Sequence, residues 1–175
     1  MNRFRMPKKK RWLLAATVMA LLLWYAGYPS QQILAFEDPD NGKLLSYLPV
    51  ADGDYFQIKY THSIHLSDVY EEYMIQDDRL FPSRLIYEDT AVGMPANAEA
   101  GQTFTMEDGK YILSDLQGST DKLYLTIGAV RANHQIIYKD TAYSLQDNIG
   151  PGETIAIVSR HMNHWTLWKG EKLHE

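Results

Sequence analysis

The sequence predicts an all-β domain, an antiparallel sandwich or partly open barrel, preceded by one N-terminal transmembrane helix. Three observations predict it. Beyond Asp40 the apolar residues recur mainly with period two, which lines alternate side chains along one face of a strand. Turn chemistry punctuates these runs at short intervals, at Asp40-Asn41-Gly42, Asp52-Gly53, Asp108-Gly109, Gly118-Ser119 and Gly150-Pro151-Gly152. At the N-terminus a basic cluster gives way abruptly to an uncharged run from Trp12 through Phe36.

Residues 1–11 carry Arg3, Arg5, Lys8, Lys9, Lys10 and Arg11 and no acid, the pattern of a segment that stays in the cytoplasm while the rest is exported. Residues 12–28 read as a transmembrane anchor or signal segment. Its 17 positions reach about 26 Å as a helix, slightly under a hydrocarbon core. Trp12 at one end and Trp24, Tyr25 and Tyr28 at the other put amphipathic rings near both headgroup layers. No small-x-small cleavage site follows, so the expectation is a single-pass protein of the cell membrane with an extracytoplasmic C-terminal domain. Cleavage would make that domain secreted.

Residues 29–40 read as a linker and 41–175 as the extracytoplasmic β domain. In the stretch 54–62, Phe56, Ile58, Tyr60 and His62 share one face, and Gln57, Lys59 and Thr61 share the other with Tyr55. The run 69–75 alternates likewise, with Val69, Glu71, Tyr73 and Ile75 opposed to Tyr70, Glu72 and Met74. Further strands are expected at 43–48, 84–88, 110–113, 123–130, 135–138, 154–159 and 165–168. The stretch 90–101, rich in Ala and Gly and holding Pro95, reads as the longest irregular loop.

Eleven of the 17 basic residues and all 22 acidic ones follow Trp12, a balance of −11 for the exported part. Such a surface repels phosphate backbones, so nucleic acid is not an expected partner. The absence of cysteine excludes lipoprotein attachment and disulfides, leaving core packing to stabilise the domain.

The densest group of reactive side chains is Tyr60-Thr-His-Ser-Ile-His-Leu-Ser-Asp-Val-Tyr-Glu-Glu-Tyr73. A hairpin closed by residues 63–68 pairs His62 with Val69 and makes His62 and Glu71 diagonal neighbours on the apolar face. A carboxylate there needs a donor, which His62, Tyr60 or Arg131 could supply, whereas Glu72 points outward as a solvated charge. A buried network that sets strand register is the plainer account of such a pair. His62 and His65 have H-x-x-H spacing, repeated by His161 and His164, but residues three apart on a strand face opposite ways. Without Cys or a helical H-E-x-x-H, this spacing is not counted as a metal site. Ser63 sits in no nucleophile elbow, and no cofactor motif is present.

Together, the segments Tyr60-Thr-His-Ser-Ile-His65 and Val69-Tyr-Glu-Glu-Tyr73, with Glu71 the matching acid, resemble the hallmark of a family of exported bacterial proteins, domain of unknown function DUF1850. A second family motif, Gly-x-Gly leading into Met or Leu, is present only as Ala91-Val-Gly-Met-Pro95, with Ala91 in place of the first glycine. The resemblance implies a small anchored or exported protein encoded beside TAXI-type TRAP solute transporters, and an accessory role in uptake. It carries over no catalytic residue. The expected contact or ligand region is Tyr60, His62, Ser63, His65 and Glu71 on the hairpin, Gly93, Met94 and Pro95 in the long loop, and Arg131. The alternative is an envelope metal-dependent binder or hydrolase using His62, His65 and Glu71, and a third reading is a purely structural anchored domain.

Overall fold

A computed structural model describes residues 7–64, 66–89 and 93–175. It opens with helix α1 (Lys8–Gly27), none of whose residues is buried. Among the described residues no helix is long and apolar enough to cross a membrane. The helix ends where Tyr28 turns extended before Pro29, which cannot donate to a further helical turn.

Among the described residues eleven strands follow: β1 (Pro29–Glu37), β2 (Leu44–Pro49), β3 (Tyr55–Thr61), β4 (Asp68–Gln76), β5 (Arg79–Tyr87), β6 (Thr103–Glu107), β7 (Lys110–Ser114), β8 (Leu123–Thr126), β9 (Gln135–Tyr138), β10 (Thr141–Ser144) and β11 (Thr154–Asn163). A short helix, α2 (Leu145–Asn148), separates β10 from β11, and α3 (His164–Lys169) follows β11. The strands build a smaller sheet in the order β2-β1-β11-β8 and a larger one in the order β10-β9-β3-β4-β5-β7-β6. Every named strand pair is antiparallel. The two sheets pack face to face around Leu34, Phe36, Phe56, Ile58, Ile75, Leu80, Ile136, Ile155 and Ile157. This is a sandwich with open edges, not a closed barrel.

The stretch 29–40, expected as a linker, is corrected by β1. Ile33, Leu34, Ala35 and Phe36 are all fully buried. Leu34 and Phe36 face the larger sheet, while Ile33 and Ala35 face an outer cluster with Val158, Leu167, Leu44, Tyr47 and Met162. A strand covered on both faces shows a continuous apolar run in place of alternation, so it has no period-two signature. The expected strand at 165–168 is also corrected, because these residues lie in α3. The Asn163 side chain accepts from the Thr166 N–H at 2.8 Å and starts a helix there. Only the first part of the run 123–130 is a strand, β8. The strand expected at 84–88 is the second half of the longer β5.

The first half of β5 and all of β6 and β10 lacked an expectation because of their surroundings. The turns before β5 and β10 place Asp77, Asp78, Lys139 and Asp140 at positive φ, a type I′ geometry reached without the Asn-Gly signature. Pro82 interrupts β5 at a bulge opposite Glu72 and Tyr73. β6 is a five-residue edge strand with no buried residue.

Candidate functional site

Strand direction sorts the loops into two ends. The smaller sheet meets α1 at the end where Pro29 pairs with Asn163. The β4–β5 turn lies toward that end, since Asp78 meets His161 Nδ1 at 3.1 Å and accepts from Gln32 Nε2 at 3.4 Å. β4 then runs nine residues away, about 27 Å of strand rise. The described residues of the β3–β4 loop, 62–64 and 66–67, are therefore at the far end. The loop 127–134 reaches the same place, with Ala132 O accepting from the Thr61 N–H at 2.8 Å. The loop following β5 starts there as well, because Ile86 pairs with Tyr70 and the Tyr87 hydroxyl donates to Pro95 O. His62, Ser63, Gly93, Met94, Pro95 and Arg131 thus belong to loops gathered at the end opposite α1. His65, Thr90, Ala91 and Val92 lie outside the described residues, so the alternative that uses His65 has no geometry here.

The hairpin register differs from the expected one. Thr61 pairs with Asp68, Tyr60 with Val69 and Ile58 with Glu71. His62 has left the ladder: its N–H donates to Ser67 O, and its Nδ1 accepts from the Ile64 N–H at 3.4 Å. The closing pair is reinforced by Lys59 Nζ to Asp68 at 2.7 Å and by Thr61 Oγ1 to Asp68 at 3.2 Å, which pulls the turn one residue earlier on each strand. The relative register changes by two residues, an even number, so the side-chain faces are preserved.

Glu71 remains on the core-facing side. Tyr60 donates its O–H to one Glu71 oxygen at 3.1 Å and Tyr73 to the other at 3.0 Å. Of the three donors considered from sequence, Tyr60 makes this contact, and Tyr73 is an addition. Burial, and then the Glu71 charge, pushes both phenols well above their ordinary 10.0, so they stay protonated donors. With both carboxylate oxygens engaged, the network ties β3 to β4. Glu71, Tyr73, Leu85 and Leu116 edge a cleft of about 130 Å³. Tyr60 also lies 5.6 Å, ring to ring, from His134. Burial lowers the His134 pKa, and its Nδ1 accepts from the Gly128 N–H at 3.0 Å, which pins the loop that carries the exposed Val130 and Arg131.

On the outer face the expectation for Glu72 is corrected. It is buried, at 6% exposure. Gln57, Glu72 and Arg84 are side by side across three strands, so long polar side chains cover the carboxylate. Arg84 Nε and Nη2 each donate to it at 2.8 Å and Gln57 Nε2 donates at 3.1 Å. Burial alone would raise its pKa, but the Arg84 and Gln57 hydrogen bonds outweigh burial and leave it below the ordinary value. Sequence alternation could not reveal this, because Arg84 is brought to Glu72 only by the pairing of β4 with β5. His134 was missed for a similar reason: its ring is buried by the loop's return across the sheet. Among the described residues no group of three or more His, Asp or Glu side chains is arranged to hold a metal.

No curated protein and no solved structure matches the chain. A family profile described as domain of unknown function (DUF1850) matches residues 56–145. That span holds nearly all of the larger sheet together with the loops at its far end, and it leaves out α1, β1, β2 and β11. Because the match covers just over half of the 175 residues, the chain belongs to the DUF1850 family.

Proposed function

We propose that this protein is a membrane-anchored extracytoplasmic accessory or binding module that works beside a TAXI-type TRAP solute transporter, without catalysis of its own. One observation carries the reading: the loops bearing His62, Ser63, Met94, Pro95 and Arg131 gather at the end of the sandwich opposite α1. A domain held by α1 would present those loops away from the bilayer, toward a partner. Support for the anchor comes from the exposed, apolar α1 side chains and the basic residues before Trp12. The apolar part of α1, from Trp12 to Gly27, reaches about 24 Å, so it would require local thinning of the bilayer. The transporter as partner rests on the family resemblance. The network character of Glu71, with both oxygens taken by tyrosines, favours binding over acid–base chemistry.

Co-purification tests the reading. Tagged full-length protein, solubilised in mild detergent, is expected to retain the transporter's membrane subunit, and Met94→Glu and Arg131→Glu are expected to release it without loss of fold. Wild-type protein that retains no transporter subunit would overturn the proposal.

A further inference from the structure

Helix α3 carries its tryptophans outward. Leu167 of α3 is buried in the outer cluster of the smaller sheet, whereas Trp165 and Trp168 are 56% and 78% exposed. Their rings lie 5.7 Å apart, and Lys169 Nζ stands 4.9 Å over the Trp165 ring. Large exposed aromatics cost solvation free energy unless something covers them.

Their position says what covers them. α3 sits against the last turns of α1, with the His164 ring stacked on Tyr25 at 5.0 Å and its Nε2 3.2 Å from Ser30 Oγ. Trp24 and Tyr28, themselves exposed, pack at 5.3 Å on the same end of α1. Five exposed aromatic rings thus form a collar where the apolar helix enters the sandwich. Charge points the same way. The segment 154–170 holds no acidic residue, within an exported part whose balance is −11, and it carries Lys169 beside the tryptophans. An aromatic and cationic collar suits the headgroup layer of an anionic bilayer, where rings bury their apolar faces and keep their N–H and O–H groups wet.

We infer that α3 is a second lipid contact, with Trp165, Trp168 and Lys169 seated in the headgroup layer beside the end of α1. The inference rests on the anchor reading above and goes beyond it. A contact of this kind adds membrane affinity to a helix whose apolar part is short for a hydrocarbon core. It also sets the tilt of the sandwich, because two elements on one side of the domain meet the surface.

Fluorescence in vesicles tests it. The chain has four tryptophans, so full-length Trp12→Phe/Trp24→Phe protein emits from Trp165 and Trp168 alone. It is reconstituted into phosphatidylcholine vesicles containing phosphatidylglycerol, with a spin label placed either near the headgroup end or at the tail end of the acyl chain. The expected result is a blue-shifted emission, quenched more by the shallow label than by the deep one, and a loss of that quenching in a further Lys169→Glu variant. Protein that floats with the vesicles yet shows water-like, unquenched emission overturns the inference and leaves the anchor standing. Blue-shifted emission without quenching also overturns it, in favour of a protein covering the tryptophans. Protein that fails to float overturns both.

Discussion

Glu71 shows how a charged residue is kept on the core-facing side of a sheet. Each carboxylate oxygen accepts one tyrosine hydroxyl, and the two tyrosines come from adjacent strands, so the charge is satisfied and the hairpin register is held. Hydrogen bonds to a charged group contribute about 1.5–3 kcal/mol when partly buried. Tyr73→Phe and Tyr60→Phe are therefore each expected to lower unfolding stability by about 1–2 kcal/mol in urea denaturation. Each cost should shrink when Glu71→Gln is already present, and purely additive effects would count against a coupled network. The acidic residue on the apolar face was legible from alternation alone. Its second donor was not singled out, and His62 was misplaced, because the closing turn is decided by the contacts of Asp68 with Lys59 and Thr61.

At the scale of elements, β1 is the least obvious and the most consequential. It is hydrogen-bonded to β2 on one side and β11 on the other, and four consecutive side chains are fully buried. A fragment beginning at Pro29 is expected to fold cooperatively, whereas one beginning at Asn41 should lack near-ultraviolet circular dichroism and a urea transition. The loss follows from removing a central strand, since even one buried Leu truncated to Ala costs about 2–5 kcal/mol. A cooperatively folded 41–175 fragment would contradict this. β3 and β4 were readable because each has one face on the core and one toward solvent. β1 escaped because its uncharged run continues from the apolar helix with only Tyr28 between them. α3 escaped because a single capping contact from Asn163, not periodicity, starts it.

At the scale of the whole molecule, His134 and Glu72 are among the groups that make the sandwich acid-sensitive. His134 is held neutral by burial, with its pKa below the ordinary 6.5. The unfolded chain therefore takes up a proton first, and the stability this group contributes is present above pH 6.5 and lost as pH falls. Glu72 has a pKa held below 4.5, so its contribution is present above that pH and lost as pH falls through the lower folded value. Urea midpoints are expected to decline between about pH 7 and about pH 5, with a shallower decline in His134→Asn, which keeps an acceptor for Gly128. An identical decline in the variant would remove His134 as the cause. A second fall below pH 4.5 belongs in part to Glu72, with Asp54 and Asp68, whose pKa values are held below 3.8, adding to it at lower pH; Arg84→Met should weaken the Glu72 share.

The sequence by itself determined the β class, the alternating faces of the central hairpin, the turn positions marked by glycine, the charge asymmetry about Trp12 and the family resemblance. All of these are local: they depend on side-chain period, on residues able to adopt turn dihedrals, and on runs of charge. Only the tertiary structure decided that β1 is a core strand, that Glu72 is buried by residues from β3 and β5, and that three separate loops meet at the end farthest from α1. Those outcomes depend on which strands pair and in what register, and pairing is a contest among contacts distant along the chain. A continuous apolar run and an outward-facing carboxylate each have two environments open to them, and the neighbouring strands select between the two.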